Sequence, residues 1–449
     1  MVVSRDKAPT AQETFMQMAQ AAGLRGRLLL TIGLLILARF GVFLPVPGID
    51  RAKLSTDIQS GGIPIAGILD FFSGGGFSAL GIFALGILPY INASIILQLL
   101  TAAIPTLENL QKNEGEAGRR KISQITRYVA LGWAILQSVG LAIWVNRDYA
   151  KNPGTLFFLE TVLAITAGSM FVMWLSELIT ERGIGNGASL LIFVNIVAVL
   201  PRTLDQTIEL AQTGGREMAG KVVILLLVFL VMIVGIVFVQ EGTRRIPIIS
   251  ARRQVGRRLY RERTSYLPLR LNQGGVMPII FASAVFILPT SLANLPGGGN
   301  DAGIFGSFVQ AVNQVTVYIS PTGPTPWLYV LVYLVLILFF SYFYASLIVN
   351  PVDMSQNLKK MGASIPGIRP GKATSDYIER VLNRLTFLGA IFLGLVAVVP
   401  TAVESATEVT TFRGLGATSL LILVGVAIDT AKQVQTYVIS QRYEGMVKQ

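Results

Sequence analysis

The sequence contains no cysteine and no histidine. Their absence excludes disulfide frameworks, thiol nucleophiles, and zinc or copper sites built on thiolate or imidazole ligands. It also removes the side chain best suited to proton transfer near neutral pH. Carboxylate, lysine and serine mechanisms are not excluded by composition, but we expect no catalytic residue, no metal site and no cofactor.

Charge is scarce as well. Only 14% of the residues are charged and 52% are hydrophobic, with a mean hydropathy of +0.60, whereas soluble domains carry about 25% charged residues. Crossing a hydrocarbon core of about 30 Å takes roughly 20 mostly apolar residues. The sequence therefore predicts an all-α polytopic membrane protein of ten transmembrane helices, near residues 27–45, 77–101, 128–146, 156–178, 187–204, 221–240, 275–293, 327–349, 383–401 and 415–438.

A glycine-rich segment precedes the second predicted span. Residues 61–76 are apolar but too interrupted by glycine to cross a membrane as one helix. Irregular backbone at membrane depth is tolerated where it is buried in protein or lines a cavity. An interfacial loop explains the same pattern equally well.

The distribution of lysine and arginine predicts the orientation. With the N-terminus in the cytoplasm and alternating spans, most of the 37 basic residues lie on the cytoplasmic side, as the positive-inside rule requires. The first 23 residues lack the apolar core and cleavage site of a signal peptide, so we expect the first span to serve as its own insertion signal. Arg39 falls within that span and is expected to snorkel or pair at the outer interface.

Two short motifs each occur twice. Gly86–Ser94 and Gly275–Ser283 share the pattern Gly, aliphatic, aliphatic or Met, Pro, x, Ile, x, Ala, Ser, while Ser189–Ile192 and Ser419–Ile422 both read Ser-Leu-Leu-Ile. Each motif pairs a span with the fifth span after it. Because five is odd, the second copy is inserted upside down, which is the inverted-repeat architecture of many transport proteins with a pathway between the halves. The proline in each copy of the first motif predicts a helix kink.

The repeats place four isoleucines at equivalent points: Ile91, Ile280, Ile192 and Ile422. For any single isoleucine, packing or lipid contact is the ordinary interpretation. Four at related positions favour an apolar constriction, which gates by excluding water and requires no particular hydrogen bonds from its cargo. Nearly all charges lie at span ends, which argues against an ion-coupled carrier.

The loop at 241–273 contains nine arginines and no lysine, and a second loop at 350–382 contains Lys359, Lys360 and Arg369. Guanidinium groups bind phosphate and carboxylate through a planar fork, so the loops are suited to docking an RNA-rich or acidic assembly. Positive-inside patterning with lipid headgroup contact is the alternative interpretation.

Together these residues resemble the SecY family of protein translocase channels along the whole chain. The resemblance is carried by residues 43–50, 83–100, 118–124, 179–187, 366–371 and 418–422 and by the arginine loop. It implies an hourglass SecY/Sec61-type channel of two inverted five-helix halves, which conducts unfolded preproteins and releases transmembrane segments sideways into the bilayer.

The resemblance also assigns roles to individual residues. It implies a plug at about 62–75 with Ile63, Ile65, Ile68, Leu69, Phe71 and Phe72, and a pore ring of Ile87, Ile91, Ala188, Ile192, Ile280 and Ile422. Ala188 is smaller than the aliphatic residue common in the family, so either the seal is weaker there or its neighbours compensate. A lateral gate between spans two and three and spans seven and eight would include Asn92, Gln98 and Asn186, for which ordinary interhelical hydrogen bonding is the alternative.

The partners implied by the resemblance are the subunits SecE, which clamps the halves, and SecG, together with the SecA motor ATPase and the ribosome. Docking of SecA and the ribosome is assigned to Arg244, Arg245, Arg252, Arg253, Arg257, Arg258, Lys359, Lys360 and Arg369. The sequence has no GxxxxGK[ST] phosphate-binding loop, so we expect a non-enzymatic channel whose ATP hydrolysis belongs to a partner.

The predicted organisation is a cytoplasmic segment 1–26, a first half 27–204, an external linker 205–220, a second half 221–438 and a cytoplasmic tail 439–449. We expect a bacterial plasma membrane, with a thylakoid membrane also compatible. Two other functions remain open. A small-solute or lipid transporter would need an enclosed polar binding pocket, and an intramembrane enzyme would need paired carboxylates or a Ser/Lys pair inside the spans.

Overall fold

The structure is a computed structural model that describes residues 22–50, 53, 73–112, 115–250, 254–255, 258–259, 264–283, 285, 326–407 and 417–447. The helices are α1 (Ala22–Val42), α2 (Leu88–Ala103), α3 (Pro105–Lys112), α4 (Gly115–Asp148), α5 (Thr155–Arg182), α6 (Gly187–Thr213), α7 (Gly215–Glu241), α8 (Pro326–Ile348), α9 (Pro351–Lys360), α10 (Lys372–Thr407) and α11 (Ala417–Val447). The strands are β1 (Thr243–Ser250), β2 (Gln254–Val255), β3 (Arg258–Leu259), β4 (Thr264–Arg270) and β5 (Ala363–Ser364). Residues 277–283 are also helical.

Nine of the ten predicted spans fall on a helix of the described chain, and the seventh begins as the helix at 277. Six of the described helices are long and apolar enough to cross a membrane by length and composition alone. Their outer faces carry exposed side chains such as Leu156 and Phe238, which are 71% and 77% exposed. Apolar exposure on this scale is suited to lipid rather than to water.

The helices continue beyond the apolar windows. α6 and α7 occupy the predicted linker 205–220 except for Gly214, which separates them. Residues such as Glu209 and Met218 are good helix formers, so the backbone stays helical after the apolar stretch has ended.

The second span is shorter than predicted. Residues 74–87 form turns, and α2 begins only at Leu88. Segment 73–87 is nevertheless largely buried, with Leu80 1% exposed. This described stretch is therefore protein interior rather than interfacial loop, and residues 54–72 lie outside the described residues.

Neighbouring elements supply the hydrogen bonds that segment 73–87 lacks as a helix. The Val46 amide donates to the Leu80 carbonyl oxygen over 3.2 Å, and the Ser169 hydroxyl of α5 donates to the Gly86 carbonyl oxygen over 3.0 Å. Irregular backbone in a membrane is tolerated only with such internal partners.

Both copies of the glycine–proline motif begin a helix in the same way. Gly86 and Gly275 have φ of +53° and +58°, in the left-handed region that glycine adopts without strain. The helix begins two residues later in each copy, with Pro89 and Pro278 in its first turn. A proline is tolerated there because first-turn amides have no helical acceptor. The predicted kink is therefore wrong: each proline starts a helix.

The arginine loop and the loop after α8 form one small sheet. β1 pairs antiparallel with β4 along its length and with β5 at its end. Ile246 and Ile248 of β1 pack with Leu358 of α9 and Ile378 of α10 in a separate apolar core. We call the side of the molecule that carries this sheet the sheet side.

Among the helices, α2 packs against α4, α4 against α5, and α8 against α10. α6 contacts both α7 and α11, so it joins the early helices to the late ones.

The close contact between α5 and segment 73–87 gives a stability prediction. A Cβ at Gly168 would overlap the Ile82 carbonyl oxygen. We expect Gly168→Ala to lower the free energy of unfolding by about 1 to 3 kcal/mol, because the helix and the segment must separate. Thermal unfolding of the purified protein in detergent measures the change.

Gly132→Ala in α4 is the control, because no atom lies within 4 Å of its Cβ position. Its stability should stay at or slightly above that of the parent protein. An equal loss in both variants would contradict the close packing.

Candidate functional site

The residues predicted as a pore ring lie together in the interior. Five of them are less than 8% exposed and belong to one apolar cluster: Ile87, Ile91, Ile192, Ile280 and Ile422. The sixth, Ala188, is partly buried and packs against that cluster. They come from the first turns or the cap of α2, α6, the helix at 277 and α11. None of the five points outward, whereas Ile224 of α7 is 56% exposed. Their role as a ring stays a prediction.

A cavity of about 540 Å³ reaches this cluster from the sheet side. Ile91, Ala188, Ile192 and Ile280 line its apolar end, and Arg270 at the end of β4 lines it near the sheet. Val276, Met277 and Phe281 line the same cavity and add to its apolar surface. The arrangement is a polar-walled funnel that leads to apolar side chains.

Ion pairs lie along the cavity wall. Arg127 Nε of α4 donates to Glu177 Oε1 of α5 over 2.9 Å, and Arg270 Nη1 lies 3.7 Å from Asp429 Oδ1 of α11. The Arg270–Asp429 pair is about half exposed and so contributes about 0 to 1 kcal/mol, whereas Glu177 of the first pair is more buried. The cavity wall therefore carries charges of both signs in pairs.

The three predicted gate residues have different environments. Asn186 Oδ1 accepts from the Ser189 amide over 3.2 Å and so caps α6, while Gln98 Nε2 donates to Ser94 Oγ over 3.1 Å within α2. Both also line the cavity. Asn92 is only 3% exposed, and its Nδ2 has no hydrogen-bond partner among the described residues. A buried amide left in this way costs about 1 to 3 kcal/mol.

Five of the predicted docking residues are exposed on the sheet side: Arg244, Arg245, Lys359, Lys360 and Arg369. The turn that carries the last of these is fixed by its backbone. Thr374 Oγ1 donates to the Arg369 carbonyl oxygen over 2.9 Å, and Ser355 Oγ donates to the Gly371 carbonyl oxygen over 2.7 Å. The guanidinium is thus presented on a fixed turn.

Several predicted residues lie outside the described part of the chain or are described by their backbone alone. Arg252, Arg253 and Arg257 lie outside the described residues, and Arg258 is described only as part of β3. All six named plug residues also lie outside them, namely Ile63, Ile65, Ile68, Leu69, Phe71 and Phe72. Only residues 73–75 of the predicted plug are described.

The site contains one feature that sequence reasoning missed. Arg39 Nη1 donates to the Gly74 carbonyl oxygen, at the end of the predicted plug. The arginine therefore pairs within the protein. The sequence placed Arg39 inside a span but gave no indication of its partner.

Residues 81–431 match the family model described as SecY. The chain belongs to the SecY family. The match includes all six ring residues, the hairpin of β1 and β4, and the turn that carries Arg369.

Curated relatives match along the entire chain. A protein translocase subunit SecY from Synechococcus elongatus is 72% identical, and one from Synechocystis sp. is 74% identical, each with 100% of both chains covered. SecY-family membership thus extends over the full length.

Solved structures of channels share the fold. A protein-conducting channel matches with a TM-score of 0.65 at 16% identity, and Sec61 in a canine ribosome–channel complex with a TM-score of 0.62 at 15% identity, each with 91% of both chains covered. This likeness confirms the predicted SecY/Sec61-type fold of helices in two inverted halves. The small sheet on the sheet side was not predicted.

Asn92 gives a second prediction. Leucine has a similar volume and needs no hydrogen bond, so Asn92→Leu should raise the free energy of unfolding of the resting protein by about 1 kcal/mol. Gln98→Leu, which removes the bond to Ser94, should not raise it. Thermal unfolding in detergent measures both, and a less stable Asn92→Leu protein would show that the amide is paired in the folded state.

Proposed function

We propose that this chain is the protein-conducting channel subunit of a protein translocase. Unfolded preproteins pass between the two halves, and transmembrane segments leave sideways into the bilayer. The observation that carries the proposal is the convergence of matched isoleucines, from both copies of both motifs, in one buried cluster at the end of a polar funnel.

The apolar cluster suits a channel with varied cargo. Isoleucine side chains exclude water from a narrow passage without binding a particular substrate. A polypeptide can displace these side chains because the ring requires no specific hydrogen bonds. The ring closes again through apolar contact when the polypeptide has left.

The halves correspond to residues 27–204 and 221–438, and the sheet side is cytoplasmic, with both termini on the same side. Support comes from the positive-inside rule, since the exposed basic residues of β1, α9 and the Arg369 turn lie on the sheet side. The membrane is the bacterial plasma membrane, and a thylakoid membrane is the second candidate.

The partners are the subunits SecE and SecG, the SecA motor ATPase and the ribosome. Curated relatives are named as subunits of a translocase, and the Sec61 neighbour is part of a ribosome–channel complex. The chain has no phosphate-binding GxxxxGK[ST] loop, so energy comes from the motor or the ribosome, and the channel is not itself an enzyme. Exposed arginines on a fixed turn are suited to phosphate or carboxylate groups on such partners.

Residues 62–75 form the plug, and Asn92, Gln98 and Asn186 belong to the lateral gate. Asn92 supports this role because an amide without a partner in the resting protein favours a state in which it gains one.

A small-solute transporter is the second candidate, since the cavity has polar walls. Such a protein needs polar groups that converge on one substrate. Here the polar lining extends from Gln98 to Arg270 and ends at isoleucines, which favours passage over binding.

The ring predicts an ion leak on substitution. Ile192→Ser places a hydroxyl in the apolar waist, so water enters and the resting conductance of the channel in lipid bilayers should rise at least tenfold. Ile224→Ser, on the exposed face of α7, is the matched control and should leave conductance unchanged. Equal conductance in the two variants would count against the ring.

The exposed position of Arg369 predicts that its substitution impairs the interaction with a partner. Arg369→Glu reverses an exposed charge without touching the hydrogen bonds of its turn, so the channel should insert normally while motor-driven secretion falls at least tenfold. Secretion by vesicles and the amount of inserted channel are measured together. Arg120→Glu, a similarly exposed change on α4, should have little effect. A matching loss of insertion would instead indicate a folding role.

A further inference from the structure

Arg39 is a charged residue within the predicted first span. A charge within a span is costly unless it is paired inside the protein. The guanidinium Nη1 donates to the Gly74 carbonyl oxygen, and its Cζ lies 5.1 Å from the centre of the Phe43 ring. Gly74 itself is buried. Arg39 itself is half-buried, and its positive charge is paired with the protein at the start of segment 73–87.

Gly74 is the point where three elements meet. A Cβ there would lie 2.5 Å from Arg39 Nη1 of α1 and 2.7 Å from Asn195 Oδ1 of α6, and the residue has φ of +66°. Position 74 therefore has no room for a side chain. Asn195 follows Ile192 by three residues, so both lie on neighbouring parts of one helix face. The contact at Gly74 is next to the α6 face that contributes to the ring.

Segment 73–87 connects this contact to the other side of the ring, since it ends at Ile87 and leads into α2. Its bonds to Val46 and Ser169 are between neutral groups. The bond from Arg39 is charge-assisted, and such bonds are roughly twice as strong as neutral ones. In a region of low dielectric constant the difference increases.

We propose that Arg39 is a positioning residue of the closed channel. Its bond to Gly74 fixes segment 73–87 against α1 and α6, and this holds Ile87 and Ile91 against Ile192. The inference rests on the proposed function, because holding the ring closed has a consequence only in a channel.

The first test replaces Arg39 in the complete translocase complex, in membrane vesicles. Arg39→Met keeps the length and removes the donor, so resting ion flux should rise about tenfold, the change expected in a closed-to-open ratio when one charge-assisted hydrogen bond is lost. Export of a preprotein with a defective signal sequence should increase as well. Arg39→Lys keeps a charged donor and should restore most of the seal, and Arg25→Met, an exposed change in the same helix, should leave flux unchanged.

The second test changes Gly74, the partner of Arg39 in the same contact. Gly74→Ala inserts a methyl group between Arg39 and Asn195, whereas Gly75→Ala, at φ of +89°, has no atom within 4 Å of its Cβ. Both variants carry left-handed backbone strain, but only Gly74→Ala disturbs the contact. Resting flux should therefore rise in Gly74→Ala and stay near the parent level in Gly75→Ala.

Ile192→Ser is measured beside them as a reference for an open ring. If Ile192→Ser leaks while Arg39→Met and Gly74→Ala stay sealed, the positioning role is wrong and the proposed channel function is unaffected. If none of the three leaks, the ring fails and the positioning role fails with it. If Arg39→Met and Arg39→Lys lower the amount of complex alike and Gly74→Ala stays sealed, Arg39 serves folding alone and the proposal is overturned.

Discussion

Every backbone amide inside a bilayer has to find its hydrogen-bond partner within the protein, and this constraint organises the molecule. The long helices meet it internally. Segment 73–87 meets it only in part through bonds within its own turns, and for other partners it depends on the turn after α1, on the Ser169 hydroxyl and on the Arg39 guanidinium. An irregular stretch of backbone is thereby placed in the interior, where it brings Ile87 and the start of α2 into the apolar cluster.

The apolar cluster and the polar cavity have complementary physical roles. The cavity wall, with pairs such as Arg127–Glu177, is compatible with water and with the polar parts of a chain. The proposed role of the isoleucines is to exclude water where the cavity ends. Two features have opposite effects on the stability of the proposed closed state. The unpaired amide of Asn92 disfavours the closed state, and the bond from Arg39 to Gly74 favours it. Opening is then a matter of modest free-energy differences rather than of unfolding.

Sequence patterns predicted the helices, the inverted repeat and the burial of its isoleucines because each follows from apolar periodicity and motif spacing. They failed where tertiary contacts decide the backbone. Pro89 and Pro278 were expected to bend helices, but the left-handed glycines before them make each proline a first-turn residue. The β1–β4 hairpin was missed, although Ile246 and Ile248 alternate with Pro247 in the two-residue period of a strand. No local pattern could indicate that Arg39 binds a carbonyl group 35 residues away.

The central claim is that a polypeptide passes through the isoleucine cluster. Since the chain has no cysteine, single cysteines can be introduced at Ile91, Ile280 and Ile224 without background labelling. A secretory chain stalled during export, carrying a thiol-reactive crosslinker, should react with cysteine at positions 91 and 280 and not with cysteine at the exposed position 224. Crosslinks at 224 with none at 91 and 280 would contradict a pathway between the halves.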